Sequence, residues 1–352
     1  MPVQPILKAL QSGLLIPAHP LALDNQRNFD ETRQRALTRY YHAAGAGGLA
    51  VGVHSTQFAI REPRYGLFKP VLELAAATTQ ACDRATGRQT VLVAGICGKT
   101  DQAVEEAHFA RQSGYHLGLV SLAGYQGASD EALVAHCAVV SQEIPIMGFY
   151  LQSAAGGRIL SEKFWRNFVE IPNVVAIKIA PFNRYQTLDV IRAVAAAGRA
   201  GDIALYTGND DNILLDLLTE YVVPTSQGQV YLQIAGGLLG HWGCWTQKAA
   251  VMLEQIKQAR QEKAIPKTLL SLAAQITDCN AAFFDAANQY AGALPGVNEV
   301  LRRQGLLENN YTLDPDVCLS PGQSAEIDRV YRAYPSLNDD EFVRENLPNW
   351  LT

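Results

Sequence analysis

The sequence lacks a C-x-x-C pair, a run of lysine or arginine, and any uninterrupted apolar segment near the roughly 20 residues of a membrane span. Six cysteines scattered through 352 residues are typical of thiols in a reducing compartment, so a disulfide framework is not expected. The 29 basic and 34 acidic residues give a net charge of −5, which disfavours nucleic acid and anionic membranes as partners. No basic segment followed by an apolar core opens the chain, so no secretory signal is expected. We therefore expect a cytoplasmic protein whose partner is a small molecule.

Motifs for several kinds of site are also missing. The seven histidines show no H-E-x-x-H or other close spacing, so neither a metal nor another cofactor is expected. No G-x-S-x-G segment is present, which argues against an α/β-hydrolase. The glycines of Gly45–Gly48 end a predicted helix and precede a predicted strand, the reverse of a dinucleotide fingerprint, so we interpret them as a turn. We interpret Gly236 and Gly237 in the same way.

What the chain does have is an apolar content of 48% and a repeated order of short apolar runs and amphipathic segments. The runs are mostly continuous, which is typical of strands buried on both faces. They are Leu14–Ala18, Gly48–Val53, Thr90–Gly95, Leu117–Leu122, Ile146–Tyr150, Val174–Ala180, Ile203–Tyr206 and Val230–Ala235. The predicted helices are Asp30–Ala44, Leu72–Ala85, Asp101–Ser113, Asp130–Ser141, Ser161–Val169, Arg184–Ala197 and Asp211–Thr219, with Thr100, Ser129 and Ser161 as N-caps. Strands that alternate with helices pair in parallel, and eight of them predict an α/β fold, the (β/α)8 TIM barrel. A doubly wound open sheet is the alternative, although it usually has fewer strands and a glycine-rich first turn.

No strand pattern follows the eighth run. We predict helices at His241–Gln261, Pro266–Ala273, Cys279–Tyr290, Val297–Gln304 and Ser324–Tyr334. The prediction is a barrel over residues 1–250 and a C-terminal helical domain and tail over residues 251–352. The polar last stretch, Pro335–Thr352, is a candidate for an arm that docks on a neighbour.

Lys178 is the lysine that stands inside an apolar run, Val174–Ala180. Burial there would lower the pKa of its amine and raise the fraction of free base, which Schiff-base chemistry on a carbonyl substrate needs. A buried carboxylate partner is the structural alternative, and no Asp or Glu occurs between Glu170 and Asp189. Tyr150 ends the preceding predicted strand, so we expect its phenol near the amine, where it could move protons.

With these residues, the chain resembles the dihydrodipicolinate synthase / N-acetylneuraminate lyase family of class I aldolases and dehydratases. The resemblance extends from about Gly13 to about Ile256. The resemblance rests on these residues and segments: Gly48–Gly52 with Ser55 and Phe58, Ala94–Thr100, Tyr125 with Glu131, Leu133 and His136, Ile144–Tyr150, Ile171–Lys178 and Thr207–Asp210.

The resemblance implies a barrel with a C-terminal helical domain, often a tetramer, and a lysine that forms an imine with a 2-oxo acid. Lys178 matches that lysine and Tyr150 the proton-shuttling tyrosine. Tyr125 falls where the family often has a second tyrosine that reaches a neighbouring subunit's site. The predicted catalytic residues are therefore Lys178, Tyr150, Ser55 and Tyr125, and the predicted substrate contacts are His54, Ser55, Gly208 and Leu239.

Two departures from the family pattern argue against dihydrodipicolinate synthase itself. The carboxylate-binding loop is usually G-T-T-G-E, whereas here only Ser55 keeps a hydroxyl at the matching place and Gln57 replaces the acid. The synthases have an arginine five residues past the strand tyrosine, where this chain has Ala155, with Arg158 three residues on. The resemblance therefore implies a divergent member with a different second substrate.

Two other groups of residues have structural interpretations. Asp210 and Asp211 follow the seventh predicted strand, and we interpret them as capping the next helix. The aromatic segment His241–Trp245 could wall a pocket, but core or interface packing is the favoured interpretation. Two hypotheses remain for the whole chain: a Schiff-base lyase acting on pyruvate or a sugar-derived 2-oxo acid, and a barrel that binds a metabolite without turnover. In both cases a homo-oligomer is expected.

Overall fold

The computed structural model describes residues 4–352. The chain divides into two compact units by its internal contacts. One unit contains the residues up to Leu14 and Val91–Leu238, and the other contains Leu15–Thr90 and Leu239–Thr352. Among the described residues, no helix has the length and apolar character to cross a membrane.

An eight-stranded sheet has the order β1-β10-β7-β6-β5-β4-β3-β2. Its strands are β1 (Leu15–Pro17), β2 (Gly48–Val51), β3 (Val91–Ile96), β4 (Leu117–Val120), β5 (Ile146–Leu151), β6 (Val174–Ala180), β7 (Ala204–Thr207) and β10 (Gly236–Leu239). The two ends of this order meet, because Ala18 and Ala50 form a parallel bridge and the His19 N–H donates to the Ala50 carbonyl at 2.8 Å. The predicted (β/α)8 barrel is therefore confirmed.

The eighth barrel strand is not the predicted one. Val230–Ala235 falls largely in β9 (Gly228–Gln233), which pairs antiparallel with β8 (Glu220–Thr225) in a separate hairpin. The barrel strand is formed by the glycines interpreted as a turn, since Gly236 pairs with Tyr206 and Gly237 with Thr207. A Cβ on Gly236 would lie 2.4 Å from the Leu14 carbonyl oxygen, so the chain approaches too closely there for any side chain.

Helices follow the strands as the periodicity predicts. They are α2 (Glu31–Ala43), α3 (Phe68–Thr86), α4 (Thr100–Gln112), α5 (Asp130–Glu143), α6 (Glu162–Phe168), α7 (Arg184–Ala196) and α8 (Ile213–Leu218). A further helix, α1 (Gln4–Gln11), precedes β1 and was not predicted. Ser129 and Ser161 cap α5 and α6 by accepting from the Ala132 and Phe164 N–H groups, as predicted. Thr100 does not cap α4: it is the first residue of that helix, and Lys99 occupies the N-cap position without a side-chain bond.

The C-terminal part is helical, with boundaries that differ from the predicted ones. Its helices are α9 (Thr246–Ala259), α10 (Lys267–Phe283), α11 (Ala293–Arg303), α12 (Gln323–Ala333) and α13 (Asp340–Trp350). The predicted long helix at His241 begins as a short 3-10 turn, and α10 joins two segments predicted as separate. The division of the chain at residue 250 stays a prediction.

The last stretch is not a free arm. Trp350 is buried, its ring lies 5.6 Å from that of Tyr40, and its carbonyl accepts from Arg39 at 2.5 Å. These contacts attach α13 to α2 of the same chain. Val343 and Trp350 are the buried side chains of α13, so two apolar residues in a polar segment are enough to anchor the helix.

Candidate active site

Lys178 lies in the carboxyl-terminal half of β6, and its side chain is buried. Burial lowers the pKa of the amine from 10.5 to about 8, because the charged form loses its hydration. Its Nζ is 4.6 Å from the centre of the Phe149 ring. The amine is thus held in a largely apolar environment at the end of a barrel strand where barrel enzymes place their catalytic groups.

Gly208, after β7, provides room for the lysine side chain. A Cβ at this position would lie 2.5 Å from Lys178 Cε and 2.7 Å from Ala180 Cβ. Gly208, which we predicted to contact the substrate, is therefore needed to leave space for the Lys178 side chain. Any other residue at this position would push the amine aside.

A carboxylate does interact with Lys178, which was the structural alternative for a buried lysine. Asp210 is buried, and its charge raises the pKa of the amine, although the opposing effect of burial is larger. The interpretation of Asp210 as a helix cap is not supported, because Asn212 occupies the N-cap position of α8. Sequence spacing missed this partner because it stands 32 residues after Lys178, on the loop after the neighbouring strand.

Phe149, and not Tyr150, faces the lysine. In the parallel register of β5 and β6, Phe149 pairs with Lys178 and Tyr150 with Ile179. Paired residues of neighbouring strands point to the same face and successive residues to opposite faces. The register therefore puts Phe149, and not Tyr150, on the face of the sheet that carries Lys178, and a catalytic role of Tyr150 stays a prediction.

The Tyr150 phenol has a structural environment of its own. Its oxygen donates to the Leu160 carbonyl at 3.1 Å and accepts from the Leu160 N–H at 3.2 Å. Its ring lies 5.4 Å from that of Trp165 on α6, and burial raises the pKa of the phenol. Tyr150 thus binds both backbone groups of Leu160, in the loop after β5.

Tyr125 belongs to a polar cluster after β4. Its hydroxyl lies 2.8 Å from Thr100 Oγ1 and 3.2 Å from His136 Nδ1, and these two atoms are 3.1 Å apart. The Lys99 ammonium lies 4.2 Å above the phenol ring. Burial, assisted by the Lys99 charge, lowers the pKa of His136 to about 4, so the imidazole is neutral at pH 7. Within the described chain, Tyr125 is therefore held by its own neighbours, and a role in another subunit stays a prediction.

Arg158 supports the loop that carries Tyr125. Its guanidinium donates to the Tyr125 carbonyl at 2.5 Å and to the Ala128 carbonyl at 3.0 Å. These two bonds give Arg158 a structural role in holding the loop, while the position five residues past Tyr150 is Ala155.

The loop after β7 is ordered by a buried carboxylate. Asp216 accepts from Thr207 Oγ1 at 2.7 Å, from Asn209 Nδ2 at 2.8 Å and from Asn212 Nδ2 at 2.7 Å. Its pKa is raised by burial, against the opposing effect of the Arg184 charge. These bonds flank Gly208 on both sides and fix the backbone that makes room for Lys178.

The segment after β2, in the other unit, holds the remaining predicted contacts. His54–Thr56 forms a 3-10 turn in which His54 and Ser55 are half-buried. Thr56 is committed to the fold, because its hydroxyl donates to the His19 carbonyl at 2.7 Å and accepts from the Gly52 N–H at 3.0 Å. Leu239 ends β10, and its carbonyl accepts from the Ala18 N–H at 3.1 Å. Contact of His54, Ser55 and Leu239 with a substrate stays a prediction.

Gln57 has a structural role. Its Oε1 accepts from the Leu313 N–H at 2.7 Å, and its backbone has a φ of 70°.

No three His, Cys, Asp or Glu side chains in residues 4–352 are grouped closely enough to hold a metal ion.

The sequence matches no family model. It is similar to a 4-hydroxy-tetrahydrodipicolinate synthase of Nitratidesulfovibrio vulgaris, 25% identical over 188 residues, covering 53% of this chain and 60% of that protein. It is also similar to one of Dechloromonas aromatica, 26% identical over 132 residues, covering 37% of this chain and 43% of that protein. The chain thus spans about half the length of the curated relatives it matches.

Solved structures share the fold over most of the chain. Dihydrodipicolinate synthase from Oceanobacillus iheyensis superposes with a TM-score of 0.72 at 15% identity, covering 91% of this chain and 96% of that one. N-acetylneuraminate lyase from Fusobacterium nucleatum gives 0.69 at 14% identity, covering 92% and 99%. YagE from E. coli, solved in complex with pyruvate, gives 0.72 at 16% identity, covering 92% and 98%. The resemblance inferred from the motifs is confirmed, as a shared fold and a distant sequence similarity.

Proposed function

We propose that this protein is a class I lyase that forms an imine between Lys178 and a 2-oxo acid in the cytoplasm. The observation that carries the proposal is the buried amine on β6, whose pKa of about 8 leaves a useful fraction of free base near neutral pH. Support comes from the similarity to synthases and lyases, and from a pyruvate complex of one structural relative.

The chemistry needs only the amine and a route for protons. The neutral amine adds to the ketone carbon, and the resulting carbinolamine loses water to give a protonated imine. The imine accepts the electron pair of a breaking C–C bond, or of the C–H bond cleaved when water is eliminated, as an enamine. Protonation and hydrolysis then release the product and regenerate the amine.

Proton transfer is where this chain differs from the expectation. Phe149 has no proton to exchange, and it lies opposite Lys178 on the face where we expected the phenol of Tyr150. We infer that the proton passes through solvent, the substrate carboxylate, or Asp210, whose charge acts on the amine. We infer that steps after imine formation are slower than in a site with a phenol beside the amine, since a positioned acid contributes about 10²–10⁴-fold.

The test is reductive trapping. Pyruvate with borohydride should add a stable mass to the parent protein at Lys178, and a Lys163→Ala control, which loses a surface lysine paired with Glu131 at 2.6 Å, should be trapped equally. Absence of an adduct with each of several 2-oxo acids would refute the imine.

A barrel that binds a metabolite without turnover is the second candidate, and Phe149 opposite Lys178 is the observation that favours it. The two candidates differ after the imine forms. Product from a panel of sugar-derived 2-oxo acids supports the lyase, whereas trapping without any product supports the binding protein.

We further propose that the protein is a homo-oligomer. Large apolar side chains are exposed on α7, α8 and the hairpin of β8 and β9: Tyr185, Leu188, Leu215, Val222 and Tyr231. Val222 and Tyr231 lie directly opposite each other in the hairpin, so they form one patch. Light scattering of the parent should give a multiple of 38.3 kDa, and a double Tyr185→Ser, Tyr231→Ser variant should shift toward that mass.

A further inference from the structure

A cavity of about 290 Å³ lies between α9, α10 and the turn that precedes α13. All of its lining belongs to the unit that contains the C-terminal helices, and none of its residues is a predicted site residue. It includes His241, Cys244 and Trp245 of the aromatic segment after β10, which the proposed function does not use.

The floor of the cavity is apolar and buried, since Cys244, Met252 and Ile276 are almost fully buried. The half-buried Leu272 and Leu337 and the exposed Val251 form its apolar rim. The recess therefore enters the helical core, as a small-molecule site does, instead of presenting a flat face to another protein.

Trp245 is held in an unusual conformation at the wall. Its φ of 52° and ψ of 41° are left-handed, a region that bulky residues rarely adopt. Edge-to-face contacts with Phe283 at 4.9 Å and Tyr331 at 5.0 Å hold the indole in place. Backbone outliers of this kind persist where the surroundings over-determine them, and they are concentrated at ligand sites.

The charge of the lining is positive. Among the described residues that line the cavity there is one ammonium, that of the exposed Lys248, and there is no carboxylate. Burial lowers the pKa of His241 to about 4, so this side chain is neutral at pH 7. Gln255 and Ser336 add neutral hydrogen-bonding groups at the exposed edge.

The first backbone N–H groups of α9 already have acceptors and are not available to bind an anion. Its Thr246 N–H donates to the Tyr40 hydroxyl at 2.8 Å, and its Gln247 N–H donates to Asp339 Oδ2 at 2.9 Å. An anion at the cavity mouth therefore depends on Lys248, which stands one position further along the helix.

We propose that this cavity binds an amphipathic monocarboxylate, with an aromatic or branched apolar body between Trp245, Met252 and Ile276 and its carboxylate on Lys248. One ammonium balances one negative charge, which fits a monocarboxylate better than a phosphate. The volume of about 290 Å³ suits a single ring with a short chain, because it lies just below the roughly 300–1,000 Å³ of ligand pockets.

The test is calorimetric titration of the full chain with 3-phenylpropionate and with its uncharged amide. The acid should bind more tightly than the amide, and Lys248→Ala should weaken the acid about tenfold and remove the difference between them. Lys257→Ala is the matched control, because that lysine is on the same helix, pairs with Glu254 at 2.9 Å and lies outside the cavity. Ala249→Leu should abolish binding of both probes by filling the recess.

The proposal is independent of the imine. The probe has no ketone, so Lys178→Ala should bind it as the parent does. Acid binding that survives both Lys248→Ala and Ala249→Leu, or that Lys178→Ala alone removes, would overturn the cavity assignment, as would absence of binding to the parent. If Ala249→Leu fails to fold, Lys248→Gln, which removes the charge and keeps a polar side chain, decides the question by the same acid-to-amide comparison.

Discussion

The surroundings of Lys178 and those of Tyr125 differ, although both lie at the ends of barrel strands in one compact unit. The lysine is enclosed by Phe149, Ala180 and Gly208, with one carboxylate acting on it. The tyrosine is enclosed by Thr100, His136 and Lys99, which bond to or lie on its phenol. The amine of Lys178 is thus desolvated and has Phe149 on its face of the sheet, whereas the phenol of Tyr125 is held in a polar network of its own.

The largest expected effect comes from closing the space beside the lysine. Gly208→Ala would place a methyl 2.5 Å from Lys178 Cε and 2.7 Å from the less yielding Ala180 Cβ. We expect imine trapping to fall by at least about tenfold and the free energy of unfolding to fall by about 1–3 kcal/mol. Mass spectrometry and thermal unfolding measure the two effects.

Gly201→Ala is the matched control, because a Cβ there meets nothing within 4 Å. Equal trapping by the two variants would show that Gly208 does not set the position of the amine.

The second prediction concerns the pH dependence of imine trapping at the desolvated amine of Lys178. Because burial lowers the pKa of Lys178 to about 8, the free-base fraction rises with pH and levels off above that value, well below the usual 10.5. The initial rate of cyanoborohydride trapping should therefore increase about tenfold per pH unit below 8 and flatten above it. A rate that continues to rise to pH 10 would contradict the effect of burial.

The third prediction concerns a variant that places a phenol beside Lys178. Phe149→Tyr places a phenol on the face of β5 that Lys178 shares, so turnover of a 2-oxo acid that the parent converts should increase by about tenfold or more. Steady-state kinetics measure this, with trapping as the check that the imine still forms.

Tyr150→Phe is the control on the opposite face. It should leave turnover unchanged and lower the free energy of unfolding by about 1 kcal/mol, through loss of the bonds to Leu160. A loss of turnover as large as that expected from removing a catalytic residue would show that Tyr150 takes part in the reaction.

The last prediction concerns the neutral histidines and tests stability, not activity. Burial lowers the pKa values of His136 and His19 to about 4, below the usual 6.5, so between these values the unfolded chain binds more protons than the folded one. Stability should consequently fall as pH decreases from 6.5 to 4, by up to about 1.4 kcal/mol per group and pH unit. Thermal unfolding of His136→Gln should show a weaker dependence over this range than the parent.

Much of the fold was predictable because its signals are local. Seven of the barrel strands and the helices that follow them appear as apolar runs and amphipathic segments, and the strand of Lys178 was predicted to the residue. A lysine in a continuous apolar run implies desolvation wherever that run is buried, so the candidate nucleophile also followed from the sequence.

Other features depend on residues distant in the chain. The face on which Tyr150 lies was decided by the register between β5 and β6, because a shift of one residue exchanges the two faces of a strand. The last barrel strand was decided by the close approach of Gly236 to Leu14, more than 200 residues earlier, which leaves no space for the side chains that mark a strand. Sequence by itself determined that Lys178 is the candidate nucleophile, because it stands in a continuous apolar run. Tertiary pairing decided that Phe149 is its neighbour, since neighbours across a sheet are set by register and not by spacing.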